Sequence, residues 1–447
     1  MRRSDVDAAV LRQSRFVTFD GSLALSTDHQ RPDRYRHLEV DLGARKRIAR
    51  GAGLSYAAAS FGAGVVVQEM TAFNRLLAFD DQNHTIKVEG GITLERLLAW
   101  AEPRGLYCAV LPGYPLITVG GCIAADAHGK NPARDGTFCD WVEAMTLFHP
   151  RRGFQSITRT SHPELFGTTC GGFGMTGVIV DATLRLSPLL TRNVRVRSIA
   201  TESLAECAGR LQQESAADFA YSWHDGAARG PAFGRGLLLL GNWTEDAADE
   251  ATGAYAPMSS DQRGRWPISL WNRLTVRSAN ALFRRMAVHR PSQVKTAFDA
   301  AFPFARQTLY HRFYGRRGLA EAQILVPDAA VPAFIAELSA LVHMVDPPLV
   351  MMSLKLFQGR QHSLSMSGRG TLFALDLVRC EATRRFLDAL DRVVVSTGAQ
   401  PNIAKDSRLG ADTATRALPF HAQFRARLMQ LDPDRLYQSE LSQRLGL

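Results

Sequence analysis

Three glycine-rich segments within the first 180 of 447 residues constrain the fold more than any other feature. They occupy residues 50–56, residues 111–113 with 118–131, and residues 170–177. Glycine reaches positive φ and has no side chain, so backbone N–H groups in such segments can converge on an anion. One segment of this kind is more typical of a tight turn. Three together indicate loops that surround a ligand.

Neither common nucleotide fingerprint fits these segments. Gly51-Ala52-Gly53 lacks the third glycine of the G-x-G-x-x-G dinucleotide motif. Ala124 and Asn131 stand where a phosphate-binding loop requires a glycine and a Ser or Thr. The sequence therefore predicts a dinucleotide held by several separated loops rather than by one helix N-terminus.

The composition is that of a globular protein, with 46% hydrophobic and 21% charged residues. Its length predicts two or three domains. No run of about 18 uninterrupted apolar residues occurs. Residues 1–15 contain no apolar segment of a secretory signal, which predicts a cytoplasmic protein. Six irregularly spaced cysteines predict neither a zinc site nor a disulfide framework.

The formal net charge of +10 predicts an anionic partner. We expect this excess to be spread along the chain, without the concentrated basic face of a nucleic-acid-binding protein. A phosphorylated cofactor or substrate, or an anionic membrane surface, accounts for the charge with fewer assumptions. The sequence therefore predicts no nucleic-acid partner.

Local patterns predict alternating strands and helices. Thr93 is a predicted N-cap before Leu94, Leu97 and Leu98, and residues 178–186 alternate like a strand with one buried face. Residues 248–267 predict a loop, residues 432–447 a mostly helical tail, and residues 271–290 a basic amphipathic segment. The other predicted strands are 64–67, 85–89, 142–148, 236–240, 324–326 and 372–377, and the other predicted helices are 331–342 and 382–395.

The run V-G-G-C-I-A-A-D-A-H-G-K-N at 119–131 carries the clearest family resemblance. With residues 164–166, 404–408 and Asp432-Pro433, it resembles the vanillyl-alcohol oxidase type of FAD-linked oxidases, which have a PCMH-type FAD-binding domain. Within that family, the run is close to that of oxidases acting on polyprenyl-phosphate-linked pentoses. The resemblance implies an α+β fold. Residues 1–190 would form a two-subdomain FAD-binding domain, completed by residues about 400–447. Residues 191–400 would form a cap domain, in which helices cover an antiparallel sheet.

The same resemblance implies the cofactor contacts. The first glycine segment contains no His for a covalent flavin link, so we expect dissociable FAD. Close relatives have Tyr-Gly-Asp where this chain has Tyr56-Ala57-Ala58, so a carboxylate near the cofactor is missing here. The implied cofactor residues are Arg50, Gly51, Ala52, Gly53, Leu54, Ser55, Tyr56, Gly113, Thr118, Val119, Gly120, Gly121, Ala125, His128, Val178 or Ile179, Asn402 and Lys405.

Hydride transfer to the flavin requires a base for the hydroxyl proton and a cation near the reduced ring. Lys405 matches the family position for that cation, although a surface lysine paired with Asp406 is the alternative interpretation. The base is His128, Tyr56 or Lys405. His128 is alternatively a residue that only hydrogen-bonds the cofactor.

Gln323 and Lys355 match substrate-pocket positions of the sugar oxidases, and Lys130 is predicted with them. Ordinary polar residues on half-buried strands are the alternative. Ala374 and Leu372 replace a pocket Cys and Asn of the mycobacterial relatives, which changes the pocket rather than the redox class.

The leading functional prediction is oxidation of a secondary sugar hydroxyl, at C2 of a polyprenyl-phosphate-linked pentose, as the first half of an epimerisation. A separate NAD(P)H-dependent keto-sugar reductase would complete it. The basic segment 271–290 would then contact the inner face of the plasma membrane, although a helix with one solvated face is the simpler interpretation. The alternatives are a soluble sugar or aldonolactone oxidase that uses oxygen, and a non-catalytic flavin-binding scaffold.

Overall fold

The computed structural model describes residues 11–248, 266–305 and 308–447, and begins with a four-stranded sheet. Its strands are β1 (Arg12–Val17), β2 (Ala24–Gln30), β3 (Arg47–Arg50) and β4 (Val66–Glu69). Their spatial order is β1-β2-β4-β3, with β1 and β2 antiparallel and the other pairs parallel. The end of β3 leads directly into the first glycine segment.

A second, five-stranded antiparallel sheet follows. It contains β5 (Leu76–Asp80), β6 (Thr85–Glu89), β8 (Val142–His149), β9 (Gly153–Thr158) and β10 (Val178–Arg185), and the short strands β7 (Leu106–Tyr107) and β11 (Ser187–Pro188) pair beside it. The order is β5-β6-β10-β8-β9. The prediction of one buried face for 178–186 is wrong for residues 178–182, which are buried on both faces of this central strand, and holds for residues 182–186, where burial alternates. Asp181 is buried there and pairs with Lys87 at 3.3 Å.

Four helices connect these strands, namely α1 (Leu94–Ala101), α2 (Val119–Ala125), α3 (Pro132–Asp135) and α4 (Pro163–Thr169). Thr93 caps α1 as predicted, because its side chain accepts the backbone N–H of Arg96 at 3.3 Å. Thr118 caps α2 in the same way, accepting the N–H of Gly121 at 3.2 Å. The second glycine segment is therefore partly the first turn of α2.

The largest sheet has eight antiparallel strands and begins after residue 190. Its strands are β12 (Asn193–Thr201), β13 (Phe219–Asp225), β14 (Gly236–Thr244), β15 (Ser292–Thr296), β16 (Leu319–Pro327), β17 (Leu349–Gly359), β18 (Gly368–Val378) and β19 (Gln400–Pro401). The spatial order is β15-β12-β14-β13-β17-β18-β16-β19. Glu321 of β16 lies opposite Asp376 of β18 in this register.

Helices cover one face of this sheet, as predicted. The helices of the region are α5 (Leu204–Gln213), α6 (Arg273–His289), α7 (Ala297–Ala301), α8 (Thr308–Arg312), α9 (Val331–Val345) and α10 (Glu381–Ser396). Buried side chains of α5, α9 and α10 pack on alternate strand residues, such as Phe334 on Phe373. Asp328–Val345 is long and apolar enough to cross a membrane by length and composition alone. Here its apolar side packs on the sheet and on α10.

The C-terminal residues return to the N-terminal sheets through α11 (Ala411–Ala417), α12 (His421–Leu431) and α13 (Glu440–Arg444). The N–H of Arg47 donates to the carbonyl of Leu436 at 2.8 Å, which joins the tail to β3. The predicted helix over 432–447 is wrong except at α13. The Asp432 carboxylate accepts the N–H of Tyr437 at 3.0 Å and turns the chain before that helix begins.

The remaining local predictions agree with the structure in type. The strand predicted at 64–67 occupies Val66–Glu69, and the amphipathic segment 271–290 forms α6. The loop predicted at 248–267 lies almost wholly outside the described residues. The domain boundaries at about 190 and 400 stay a prediction.

Candidate active site

A cavity of about 1110 Å³ extends from the glycine segments to the uncovered face of the eight-stranded sheet. Side chains alternate along a strand, so the residues of β16, β17 and β18 that do not face the helices face this cavity. All three glycine segments contribute to its wall. The cavity is therefore bounded by the glycine segments on one side and by the eight-stranded sheet on the other.

Close packing explains the glycines of the first segment. A Cβ on Gly51 would overlap the hydroxyl of Thr118, which caps α2. A Cβ on Gly53, whose φ is +70°, would overlap the guanidinium of Arg50. The backbone around the cavity can thus approach a bound phosphate group closely, as a dinucleotide cofactor requires.

The structure brings most of the predicted cofactor residues to this cavity. Arg50 is an exception, because its guanidinium donates to Ser60 at 2.7 Å and lies 4.9 Å from the Phe16 ring. Val119 and Val178 are also exceptions, since both are fully buried in the hydrophobic core. The predicted residues that line the cavity are Gly51, Ala52, Gly53, Leu54, Ser55, Tyr56, Gly113, Thr118, Gly120, Gly121, Ala125, His128, Lys130, Ile179, Gln323, Lys355, Asn402 and Lys405.

Lys405 belongs to a polar cluster inside the cavity. Its ammonium lies 3.2 Å from an Oε of Glu321 and 4.0 Å from the centre of the Tyr56 ring. Gln323 donates to the other Oε of Glu321 at 2.6 Å. The alternative pairing of Lys405 with Asp406 is wrong, because Asp406 pairs instead with Arg408 at 3.0 Å.

A second buried acid lies beside this cluster. Tyr310 donates to an Oδ of Asp376 at 2.5 Å and lies 3.0 Å, Oη to Oη, from Tyr314. Burial, together with the nearby Glu321, raises the pKa of Asp376 to about 7. Burial also raises the pKa of Tyr56 well above its ordinary value, so that Tyr56 is a neutral phenol.

Sequence reasoning missed Glu321, Asp376, Tyr310 and Tyr314. A signal for the two acids was present, because each is two residues from a predicted pocket position on the same strand, Gln323 or Ala374. Residues at i and i+2 share a strand face, so a carboxylate there must face the same cavity. The two tyrosines gave no comparable signal.

Three lysines surround His128 in the cavity. Burial, then the charges of Lys355, Lys405 and Lys130, lower the pKa of His128 well below its ordinary value. Burial, then the charge of Lys405, lower the pKa of Lys355 to about 8. The Lys130 ammonium lies 5.0 Å from the Tyr221 ring centre. His128 is therefore a neutral imidazole in a region suited to an anion.

Ala374 and Leu372, which replace a pocket Cys and Asn of the mycobacterial relatives, lie in different surroundings. Ala374 lines the cavity, whereas Leu372 is buried in a separate core cluster. None of the six cysteines, all within the described residues, lines the cavity. The cavity wall therefore offers no thiol.

Comparison with known proteins identifies the class. A model of the FAD binding domain matches residues 44–153, which include the whole of the first and second glycine segments. The cradle of closely packed glycines fits the cofactor that this domain binds. The chain is an FAD-dependent oxidoreductase with a PCMH-type FAD-binding domain.

The chain is 29% identical over 418 residues to decaprenylphosphoryl-beta-D-ribose oxidase of Mycolicibacterium smegmatis, covering 91% of this chain and 90% of that protein. It is 31% identical over 166 residues to D-lactate dehydrogenase of Anaerostipes hadrus, covering 36% of this chain and 34% of the dehydrogenase. It is 30% identical over 129 residues to L-gulonolactone oxidase 5 of Arabidopsis thaliana, covering 27% and 22% respectively. Of these three, the first is similar over both the flavin-binding residues and the sheet that completes the cavity.

Proposed function

We propose that the chain oxidises a secondary hydroxyl of a sugar to a ketone, at C2 of a pentose carried on a polyprenyl phosphate. The observation that carries this proposal is the similarity to the ribose oxidase over 91% of the chain, which includes the cavity-lining strands β16, β17 and β18. The two other relatives described above match only about a third of the chain or less.

The cavity wall supports a sugar-phosphate substrate. Gln323 of β16 and Lys355 of β17 present donors from the two strands on either side of β18, and sugar hydroxyls are bound by side chains of this kind. Besides burial, the charges of Lys355 and Lys405 lower the pKa of Lys130, and the charge of Lys405 lowers the pKa of Lys355. Bringing a phosphate among them would relieve that repulsion.

Bound FAD supplies the chemistry of hydride acceptance from the carbinol carbon. For removal of the hydroxyl proton we select Tyr56 and Lys405, because the Glu321 carboxylate faces both of them in the cavity. We assign Glu321 as the acceptor of that proton, relayed by the Tyr56 phenol. The Lys405 ammonium then offsets the negative charge that the cofactor gains.

His128 is a poor candidate for this base. Protonating its ring would add a fourth positive charge beside three lysines in a buried site. As a neutral ring packed edge-on against Phe357, at 5.4 Å between centroids, it instead orients what binds beside it. We therefore place His128 in binding and not in proton transfer.

The keto product implies a second enzyme, because an epimerisation needs the ketone reduced from the opposite face. We propose a separate NAD(P)H-dependent reductase for that step. The FAD is held without a covalent bond. Its release as intact FAD on denaturation of the protein would support this, and a flavin retained on the precipitated polypeptide would refute it.

Anaerobic flavin reduction tests the proposed function. Purified FAD-loaded protein is mixed with phosphopolyprenyl pentoses, free pentoses and aldonolactones, and loss of flavin absorbance is followed by stopped flow. Rapid bleaching by the lipid-linked pentose, with a 2-keto product by NMR, is the expected result.

Bleaching by free sugars or lactones alone, with peroxide released in air, would favour the second candidate, a soluble aldonolactone-type oxidase. The partial similarity of the chain to L-gulonolactone oxidases supports this second candidate. A flavin that no member of the panel bleaches would indicate a non-catalytic flavoprotein.

A further inference from the structure

The positive charge of the chain is concentrated in one region, contrary to the expectation of an even spread. Residues 266–317 contain ten Arg or Lys and a single acid, Asp299, and so carry almost all of the formal net charge of +10. This region contains α6, α7 and α8. A local excess of this size gives one side of the molecule a strong positive potential.

The same region exposes large apolar side chains. Leu274 is 75% exposed, Leu282 60%, Met286 60% and Ile268 65%. On α6, Leu274 and Leu282 are eight residues apart and share one side of the helix. Scattered exposed leucines are common in proteins, but a group of this kind on one helix marks an interaction surface.

Two arginines lie on that same side of α6. Arg277 lies between Leu274 and Leu282 in the sequence, and Arg285 follows them. Both arginines stand at helical spacing from a leucine, and both are exposed. Neither makes an ion pair within the described part of the chain. By contrast, Arg273 pairs with Asp346 at 3.2 Å. We call the side formed by Leu274, Arg277, Leu282 and Arg285 the outer face of α6.

The opposite side of α6 fastens it beside the cavity. Asn280 is buried and donates to Asp225 at 2.7 Å and to the carbonyl of Val350 at 3.2 Å. Phe283 lines the cavity and packs edge-on against Trp223, at 4.8 Å between ring centroids. Met286 lines the cavity and is also solvent-exposed. One helix therefore separates the cavity from the apolar and basic surface.

We propose that the outer face of α6 docks on an anionic lipid bilayer. Leucine and isoleucine side chains enter the boundary between headgroups and acyl chains, and the arginines beside them pair with lipid phosphates. A water-soluble acidic protein would be complementary to the charge but would leave separate apolar side chains unexplained. The bilayer satisfies both features.

This docking places the cavity mouth at the membrane. In this arrangement a polyprenyl tail stays in the bilayer while its sugar passes beside Met286. This statement rests on the proposed function. The docking itself rests only on the charge and exposure of α6. The two statements can therefore fail separately.

Vesicle co-sedimentation of the FAD-loaded protein tests the docking. Vesicles of phosphatidylcholine alone are compared with vesicles containing about a third phosphatidylglycerol, at low and high salt. We expect binding to the anionic vesicles that weakens at least tenfold at high salt. No binding to anionic vesicles would overturn the proposal.

Variants locate the surface. Leu274→Glu/Leu282→Glu changes two residues that do not line the cavity, and we expect it to reduce vesicle binding at least tenfold with unchanged flavin absorbance. The matched control is Met344→Glu on α9, which is also 72% exposed and should bind vesicles like the wild type. Equal binding by Leu274→Glu/Leu282→Glu and the wild type would refute this location. Conversion of a dimer to a monomer by the double variant, with vesicle binding intact, would show instead that the face joins two copies.

Flavin bleaching separates the docking from the proposed function. If the protein binds anionic vesicles through this face but no polyprenyl-linked sugar bleaches its flavin, the docking stands and the proposed substrate is wrong. If detergent-dispersed lipid-linked pentose bleaches the flavin while vesicles are not bound, the proposed function stands and the docking is wrong.

Discussion

Lys405 and Glu321 show how a single pair of side chains can set the chemistry of the cavity. The ammonium of Lys405 is held 3.2 Å from Glu321 and against the Tyr56 ring, while Gln323 fixes the other carboxylate oxygen. Taking either charge away leaves its partner in a half-buried site without compensation. The pair therefore acts as a unit in both charge and position.

Removing either member should slow flavin reduction by a similar factor. We expect Lys405→Ala and Glu321→Gln each to lower the anaerobic reduction rate by about 100-fold, because each removes one half of a charge arrangement used in the transition state. The double variant should be scarcely slower than either single variant. Stopped-flow bleaching measures all three rates.

FAD content serves as the control for that experiment, since it should be close to that of the wild type. Lys405→Arg keeps the charge and should recover part of the rate. Fully multiplicative effects in the double variant would contradict the assignment of the pair as one unit.

Asp376 should make the folded state less stable as the pH rises. Its pKa is raised to about 7 by burial, whereas the unfolded residue titrates near 4, so between these values the folded state binds the additional proton. The contribution of this group to stability is thus complete at low pH and declines up to about pH 7. We expect Asp376→Asn to gain roughly 2–3 kcal/mol over the wild type between pH 5 and pH 8.

Melting temperatures of the two proteins across that pH range measure the effect. Asp346→Asn, at an exposed residue on the far end of α9, is a suitable comparison because it should track the wild type. A difference between Asp376→Asn and the wild type that does not change with pH would show that Asp376 is already ionised at pH 5.

At the scale of elements, the glycine segments act through their contacts with neighbouring segments. Gly51 is adjacent to the hydroxyl that caps α2, so the first segment and the second hold one another in place. Along the strands of the large sheet, side chains alternate between its two faces. One set of residues packs under α9 and α10, and the other set faces the cavity.

A methyl group at Gly51 should damage cofactor binding. Gly51→Ala places a Cβ against the Thr118 hydroxyl, so either the cap of α2 is lost or the loop moves. We expect at least a tenfold weaker affinity for FAD. Flavin fluorescence titration of the apoprotein measures this.

Gly167→Ala on α4 is the matched control, because a Cβ there meets nothing within 4 Å. It should bind FAD like the wild type. Normal FAD affinity in Gly51→Ala would mean that the segment can move without cost.

At the scale of the whole molecule, the cavity exists only because the eight-stranded sheet faces the glycine segments. Its chemistry therefore depends on residues as distant in sequence as Tyr56 and Lys405. The cysteines are distributed differently. Five are buried in core clusters and do not line the cavity, and Cys380 is partly exposed before α10.

Thiol-directed electrophiles that enter the flavin cavity should therefore form no adduct there. Burial raises the pKa of Cys108 and of Cys207 to about 12, which disfavours the reactive thiolate. Intact-protein mass spectrometry should show no adduct that slows flavin reduction. Ala374→Cys restores a thiol to the cavity wall and should acquire one adduct with loss of activity. An inactivating adduct on the wild type would contradict this prediction.

The sequence by itself determined the class of protein and most of its elements. The glycine runs, the Thr93 cap and the strand and helix patterns are local features, because each depends on residues only a few positions apart. The family resemblance implied the site residues, and 18 of them line one cavity. The predictions erred on Val119, Val178 and the tail at 432–439, where burial or a turn overrode the expected arrangement.

Only the tertiary structure decided which charges meet. Each of these contacts joins residues of separate elements. Lys405 pairs with Glu321 instead of Asp406, Asp376 lies beside Tyr310, and three lysines surround His128. A pKa depends on burial and on neighbours in space, and neither can be read from spacing along the chain. The register of β16 against β18 and the placement of the sheet over the glycine segments set both. The neighbours of Glu321 and Asp376 therefore became visible only in the folded molecule.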